Sequence, residues 1–171
     1  MAISHHSEQN VFSRYGEACF RAQHVEQAIE NTVWACLKRS GSDGRVQRDK
    51  LEGESLGAVF RRVETVFKEI DPVWAGNIRV FVRFRNYISH AFFVDFAAFE
   101  TNEKLASQAL IVLSEFEKAC AVASYHLRLI SDELGLVSAA RFTRDAEDQL
   151  ARANGVTSDA VLKFKRPKFN A

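Results

Sequence analysis

Only two prolines, Pro72 and Pro167, interrupt this chain of 171 residues, so nearly all of it can carry an unbroken ladder of backbone hydrogen bonds. Between its polar stretches the apolar residues recur every three or four positions instead of alternating, which predicts an all-α protein. The first helix is expected from about Glu8 to Lys38, with Val11, Tyr15, Cys19, Ala22, Val25, Ile29, Val33 and Leu37 along one stripe. The polar stretch from Ser40 to Ser55, centred on Gly41-Ser42-Asp43-Gly44, reads as an exposed connection. A second helix is signalled from Glu54 to about Ile70 and stopped by Asp71-Pro72, and a third runs roughly from Val73 to His90. The aromatic-rich segment Ala91 to Phe99 leads to a fourth, roughly Glu100 to Leu134, with Gly135 as its C-terminal cap. A short amphipathic helix from about Ser138 to Ala153 closes the series. The expected architecture is an antiparallel bundle of four main helices plus a short C-terminal helix, residues 1–154, with a basic tail over 155–171.

Composition sets the class of molecule. An apolar content of 47% supports one domain with a real core, and the 23 basic and 22 acidic side chains nearly cancel, which excludes a generic polycation. Cys19, Cys36 and Cys120 are odd in number and scattered, without metal-ligand spacing or a disulfide framework. The first residues lack the apolar core of a signal peptide, and no apolar run approaches bilayer-spanning length. A soluble, cytoplasmic protein is expected, with no membrane partner, no bound metal and no cofactor.

The stretch Phe84-Arg85-Asn86-Tyr87-Ile88-Ser89-His90 brings an arginine, an amide and a histidine to the end of the third helix. An arginine neutralises phosphate and a histidine moves protons near neutral pH, so the candidate catalytic pair is Arg85 and His90. Spacings of four, three and four put Arg79, Arg83, Asn86 and His90 on one polar face. Arg79 and Arg83 are candidate RNA-phosphate contacts on that face, or simply solvated side chains. Arg85 falls instead beside Ile78, Phe81 and Ile88, on the flank of the buried face, where an unpaired charge is costly. Glu26 lies within the apolar stripe of the first helix and needs a countercharge too. The expectation is a Glu26–Arg85 pair, purely structural or holding the guanidinium in place, with Gln23 as a weaker neighbour. An ideal helix leaves Arg85 and His90 about 140° apart, so both can meet one phosphate only if the helix loosens near Ser89 or a second subunit contributes.

Arg85-Asn86-Tyr87-Ile88-Ser89-His90 resembles the motif of the HEPN superfamily, an arginine, four to six residues and a histidine, often with asparagine directly after the arginine. The resemblance extends over roughly residues 8 to 134, through Gln23 and Glu26 in the first helix, Ser55-Leu56-Gly57 opening the second, and Phe92-Phe93 after the histidine. It implies a HEPN-like helical bundle and a metal-independent endoribonuclease, acting as a homodimer with both motifs at the interface and often found in toxin–antitoxin or phage-defence systems. The implied chemistry is attack of an RNA 2′-hydroxyl on the adjacent phosphate. His90 exchanges the proton, Arg85 stabilises phosphoryl charge, and Asn86 orients His90 or a phosphate oxygen. The implied partners are RNA, a second copy and an antitoxin protein. Phe92 departs from the pattern, because superfamily toxins paired with nucleotidyltransferase antitoxins commonly carry a modifiable tyrosine there. The competing reading is a noncatalytic dimeric module in which the same residues stabilise an interface or bind an anion.

Other reactive side chains have ordinary readings. The cysteines fit the core, His5 and His6 sit near the start of the chain, His24 faces away from the first stripe, and His126 reads as a satisfied bundle residue. Trp34, Trp74 and the 14 phenylalanines suggest an aromatic core, with Phe92, Phe93 and Phe96 as packing, a dimer contact or a pocket wall. Lys163-Phe164-Lys165-Arg166-Pro167-Lys168-Phe169 is the one locally basic segment with interspersed aromatics, either a nucleic-acid contact or a solvated tail.

Overall fold

The structure, a computed structural model, describes residues 5–39, 71–133 and 155–167 together with positions 55, 57–59, 61, 135, 149 and 151–153. The described residues are helical apart from turns and an extended C-terminal segment, and none forms a strand. They contain α1 (His5–Arg39), α2 (Pro72–His90), the single-turn α3 (Phe92–Asp95) and α4 (Glu103–Glu133). Three of the expected long helices thus appear close to their predicted bounds. The expected helix from Glu54 to Ile70 and the one from Ser138 to Ala153 lie mostly outside the described residues, which are helical at 57–59, 61, 149 and 151–153.

Each helix end has a local cause. The Asp71 carboxylate accepts from the backbone N–H groups of Val73 at 2.7 Å and Trp74 at 3.4 Å, and Pro72 occupies the first helical position, where its missing N–H costs nothing. Asp71-Pro72 is therefore the start of α2 as well as the expected stop before it. Asn102 accepts from the Leu105 N–H at 3.2 Å, which moves the start of α4 from the expected Glu100 to Glu103. At the other end of α4, Gly135 takes the left-handed conformation at φ 61°, as its capping role requires.

Contacts along the helices fix their directions. Arg14 pairs with Glu117 and Thr32 approaches Ser131, so α1 and α4 run parallel. Asn77 meets His126 while Phe84 packs on Phe116, so α2 runs antiparallel to α4 between the same layers. The core lies where they meet: Val11, Ile29, Ile78, Phe81, Phe92, Phe96, Leu113 and Phe116 are fully buried. The expected aromatic core is present in part, since Phe12, Phe20, Trp34 and Phe93 are exposed.

The segment expected as a basic tail is laid along α2 over its described residues. The Trp74 indole donates to the Ser158 carbonyl at 3.0 Å, and the Leu162 N–H donates to the Asn77 side-chain oxygen at 2.7 Å. Phe164 stacks on Phe84 at 4.2 Å between ring centroids, and Arg166 forms a two-pronged pair with Asp95. Alternation explains the docking, because Leu162 and Phe164 turn inward while Lys163 and Lys165 stay exposed. Residues 156–167 are thus a strap on the bundle, and a freely solvated tail is excluded for them.

Candidate active site

The ion pair expected from the two misplaced charges forms. Arg85 donates to both carboxylate oxygens of Glu26, from Nε to Oε1 and from Nη2 to Oε2 at 3.1 Å. The side chains are 29% and 20% exposed, so the pair sits at the rim of the α1–α2 contact with one edge open to solvent. A two-pronged carboxylate fixes the plane of a guanidinium as well as its position. Gln23, the weaker candidate, is exposed. The remaining guanidinium nitrogen, Nη1, donates to Asn86 Oδ1 at 3.4 Å, which draws Asn86 toward Arg85.

Arg79, Arg83, Asn86 and His90 are all exposed, as their common row on the polar face predicts. The Arg79 Nε–H also turns back onto the Ala75 carbonyl at 3.4 Å. The helix does not loosen at Ser89: it remains regular through His90, and the Ala91 N–H bonds to the Tyr87 carbonyl at 2.9 Å. Arg85 and His90 therefore keep separate faces within one chain.

Aromatic side chains surround this helix end. Phe92 and Phe96 are completely buried, which assigns them to packing, whereas Phe93 is 38% and Val94 73% exposed. Phe93 lies 4.6 Å from the Tyr15 ring and 5.9 Å from Phe12, itself 46% exposed. Phe12 and Phe93 thus form an exposed apolar contact, and Phe93 and the exposed Val94 follow His90 by three and four residues. Burial, with Cys19 beside it, pushes the Tyr15 phenol up to about 12, so it stays a neutral donor, aimed at the Ile88 carbonyl at 3.5 Å. Tyr87, inside the motif, is buried, and burial together with the Asp95 carboxylate raises its phenol above the ordinary range.

His126 is the satisfied bundle residue its position suggested. It is wholly buried, with Nδ1 2.9 Å from the Asn77 amide nitrogen and Nε2 3.3 Å from the Thr157 carbonyl. The neutral ring protonated on Nε2 completes both bonds, and burial holds its pKa below the ordinary value. Asn77 also donates to the Ala160 carbonyl and accepts from Leu162, so both its amide hydrogens and its oxygen are engaged. Sequence reasoning missed Asn77. The available signal was an amide four residues before Phe81 and seven before Phe84, on the core stripe of α2. It also missed Asp95 as the anchor of Arg166, for which sequence spacing held no signal.

Cys36 and Cys120 are buried and Cys19 is partly so, and burial pushes the Cys120 thiol up, away from nucleophilic use. Among the described residues no group of three histidine, cysteine or acidic side chains could hold a metal ion, and no helix is long and apolar enough to cross a membrane. Comparison with known proteins returned no matching family model, no matching curated protein and no matching solved structure.

Proposed function

We propose that this protein is a metal-independent endoribonuclease of the HEPN type, acting as a homodimer. The observation that carries the reading is the two-pronged Glu26–Arg85 pair, which holds an arginine at the open rim of the bundle one position before Asn86 and five before the exposed His90. It agrees with the motif resemblance at the residues that matter most for phosphate chemistry.

In the proposed reaction the RNA 2′-oxygen bonds to the adjacent phosphorus and the bond to the 5′-oxygen breaks. The products are a 2′,3′-cyclic phosphate and a 5′-hydroxyl. His90 removes the 2′-hydroxyl proton or delivers one to the leaving oxygen, and Arg85 stabilises charge on the non-bridging oxygens. Asn86 orients a phosphate oxygen through its amide N–H groups, and Arg79 and Arg83 hold flanking phosphates. The separation of Arg85 and His90 across a regular helix makes a second copy part of the mechanism. The exposed Phe12 and Phe93, which pack together, and the exposed Val94 provide apolar surface for that contact. An antitoxin partner and a role in toxin–antitoxin or phage-defence systems follow from the resemblance.

The same separation favours the second reading, a noncatalytic dimeric or anion-binding module, because an arginine held by Glu26 through two nitrogens also serves as a structural tie. Incubating wild type, Arg85→Ala and His90→Ala with RNA in chelator decides between them. The ribonuclease reading expects cyclic-phosphate ends from wild type and a drop of about 10²–10⁴ in rate for each variant. Folded wild type that dimerises but leaves RNA intact establishes the second.

A further inference from the structure

The outer face of α2 carries a cavity of about 740 Å³, and two of its lining residues are Arg79 and Arg83, the arginines proposed above to hold flanking phosphates. Three arginines line it, Arg61, Arg79 and Arg83, and its apolar wall includes Val80 of α2 with Val161 and Leu162 of the strap. Its size suits a ligand of a few hundred daltons, and an apolar wall under a few strongly polar groups is the usual make-up of a binding site.

Two glycines, Gly57 and Gly76, belong to its lining. Gly76 lies in the second turn of α2, inside the helix where glycine is unfavourable, and a Cβ there would meet only open space, with nothing within 4 Å. A Cβ at Gly57 would meet Val82 Cγ1 at 3.6 Å, so that wall is already at contact distance. Guanidinium groups define the class of occupant. They bind phosphate in two-pronged fashion and offer flat faces on which bases stack, while the valines and Leu162 supply apolar lining for a base.

The cavity also has a direction. Arg79 and Arg83 belong both to its lining and to the exposed row that continues through Asn86 to His90, a span of about 16 Å along the helix. We infer that this cavity is a nucleotide subsite: it takes one splayed-out nucleotide of a single-stranded RNA whose backbone follows that row toward His90. The subsite rests on the ribonuclease reading for the identity of the strand, and makes unpaired RNA the substrate class. A duplex cannot release a base into it without unpairing.

Binding separates the subsite from the chemistry. A single-stranded 2′-O-methyl octanucleotide lacks the attacking hydroxyl and cannot be cleaved, so its affinity is measurable by fluorescence anisotropy whether or not the protein is an enzyme. Gly76→Leu fills the cavity while improving helix propensity, Arg83→Glu reverses charge at its rim, and Lys118→Glu on α4 is the charge-matched control. The expected result is at least a tenfold loss of affinity for Gly76→Leu and Arg83→Glu, little change for Lys118→Glu, and competition by adenosine monophosphate in wild type alone. Equal affinity in wild type and Gly76→Leu, or no binding by folded wild type, overturns the subsite. Sensitivity of the mononucleotide but not of the octanucleotide overturns its assignment to the RNA strand. Loss of cleavage in chelator with cavity-dependent binding intact would overturn the ribonuclease reading alone.

Discussion

Glu26 and Arg85 come from different helices, and two hydrogen bonds join the carboxylate of one to the guanidinium of the other. Each makes the other tolerable at the edge of an apolar seam. Their partial exposure keeps the pair well below the strength of a fully buried one. Glu26→Ala should cost about 1–2 kcal/mol in urea unfolding, and a double-mutant cycle with Arg85→Ala should return coupling between them. Additive effects would mean that the two side chains do not stabilise one another in solution.

Acid should weaken the fold in a defined window through His126. Its folded pKa lies below the ordinary value near 6.5, so the unfolded chain binds the proton that the folded chain refuses. Stability is therefore fully present above about pH 6.5 and falls as pH drops below it, by at most about 1.4 kcal/mol per unit. His126→Gln should flatten the thermal-unfolding profile between pH 6.5 and 5. Asp95, whose carboxyl is held low chiefly by its bond to Arg166, acts in the same direction at lower pH.

Asn77 satisfies one ring nitrogen, one carbonyl and one backbone N–H at once. Asn77→Leu strands all three, and a loss of about 2–4 kcal/mol is expected. Hydrogen exchange should localise the damage, with faster exchange at Leu162 and its neighbours in the strap. A variant as stable as wild type would show that water replaces the amide without cost.

Arg166→Ala removes the strap's distal anchor on Asp95 but leaves Phe164 stacked on Phe84 and Tyr87. Amide exchange should rise around residues 164–166 while the thermal midpoint stays near that of wild type. A cooperative loss of the whole fold would instead make this surface pair a main stabilising contact.

Gly16 faces open space on the exposed side of α1. Gly16→Ala should raise stability by about 0.5–1 kcal/mol, since alanine restricts the unfolded chain and meets no obstacle in the helix. Calorimetry of the folded protein tests this, and a decrease would reveal close approach of another molecule at that residue.

The legible parts were those governed by local periodicity and by misplaced charge. The stripes of α1, α2 and α4 follow directly from three- and four-residue spacing, and Glu26 and Arg85 could be matched because each was a charge on an apolar flank. The strap was not legible, because Leu162 and Phe164 are too short an alternating run to distinguish docking from a solvated end. The Arg166–Asp95 bond closes a long loop, and neither residue signals its partner in sequence. The regularity of α2 at Ser89 was equally hidden, since it depends on Ala91 continuing the backbone ladder into the aromatic turn.

The strap has a consequence for the order in which the molecule can be built. Residues that cover one side of α2 leave the ribosome well after His90, so the motif-bearing helix spends part of translation without them. At roughly 5–20 residues per second that interval lasts several seconds, long compared with helix formation itself. During it the Asn77 amide and the rings of Phe84 and Tyr87 lack their contacts with residues 160–164. A nascent chain that has not yet released the strap is more exposed to misfolding or chaperone capture, and contacts made well after the helix itself emerges finish the helix on which the candidate chemistry stands.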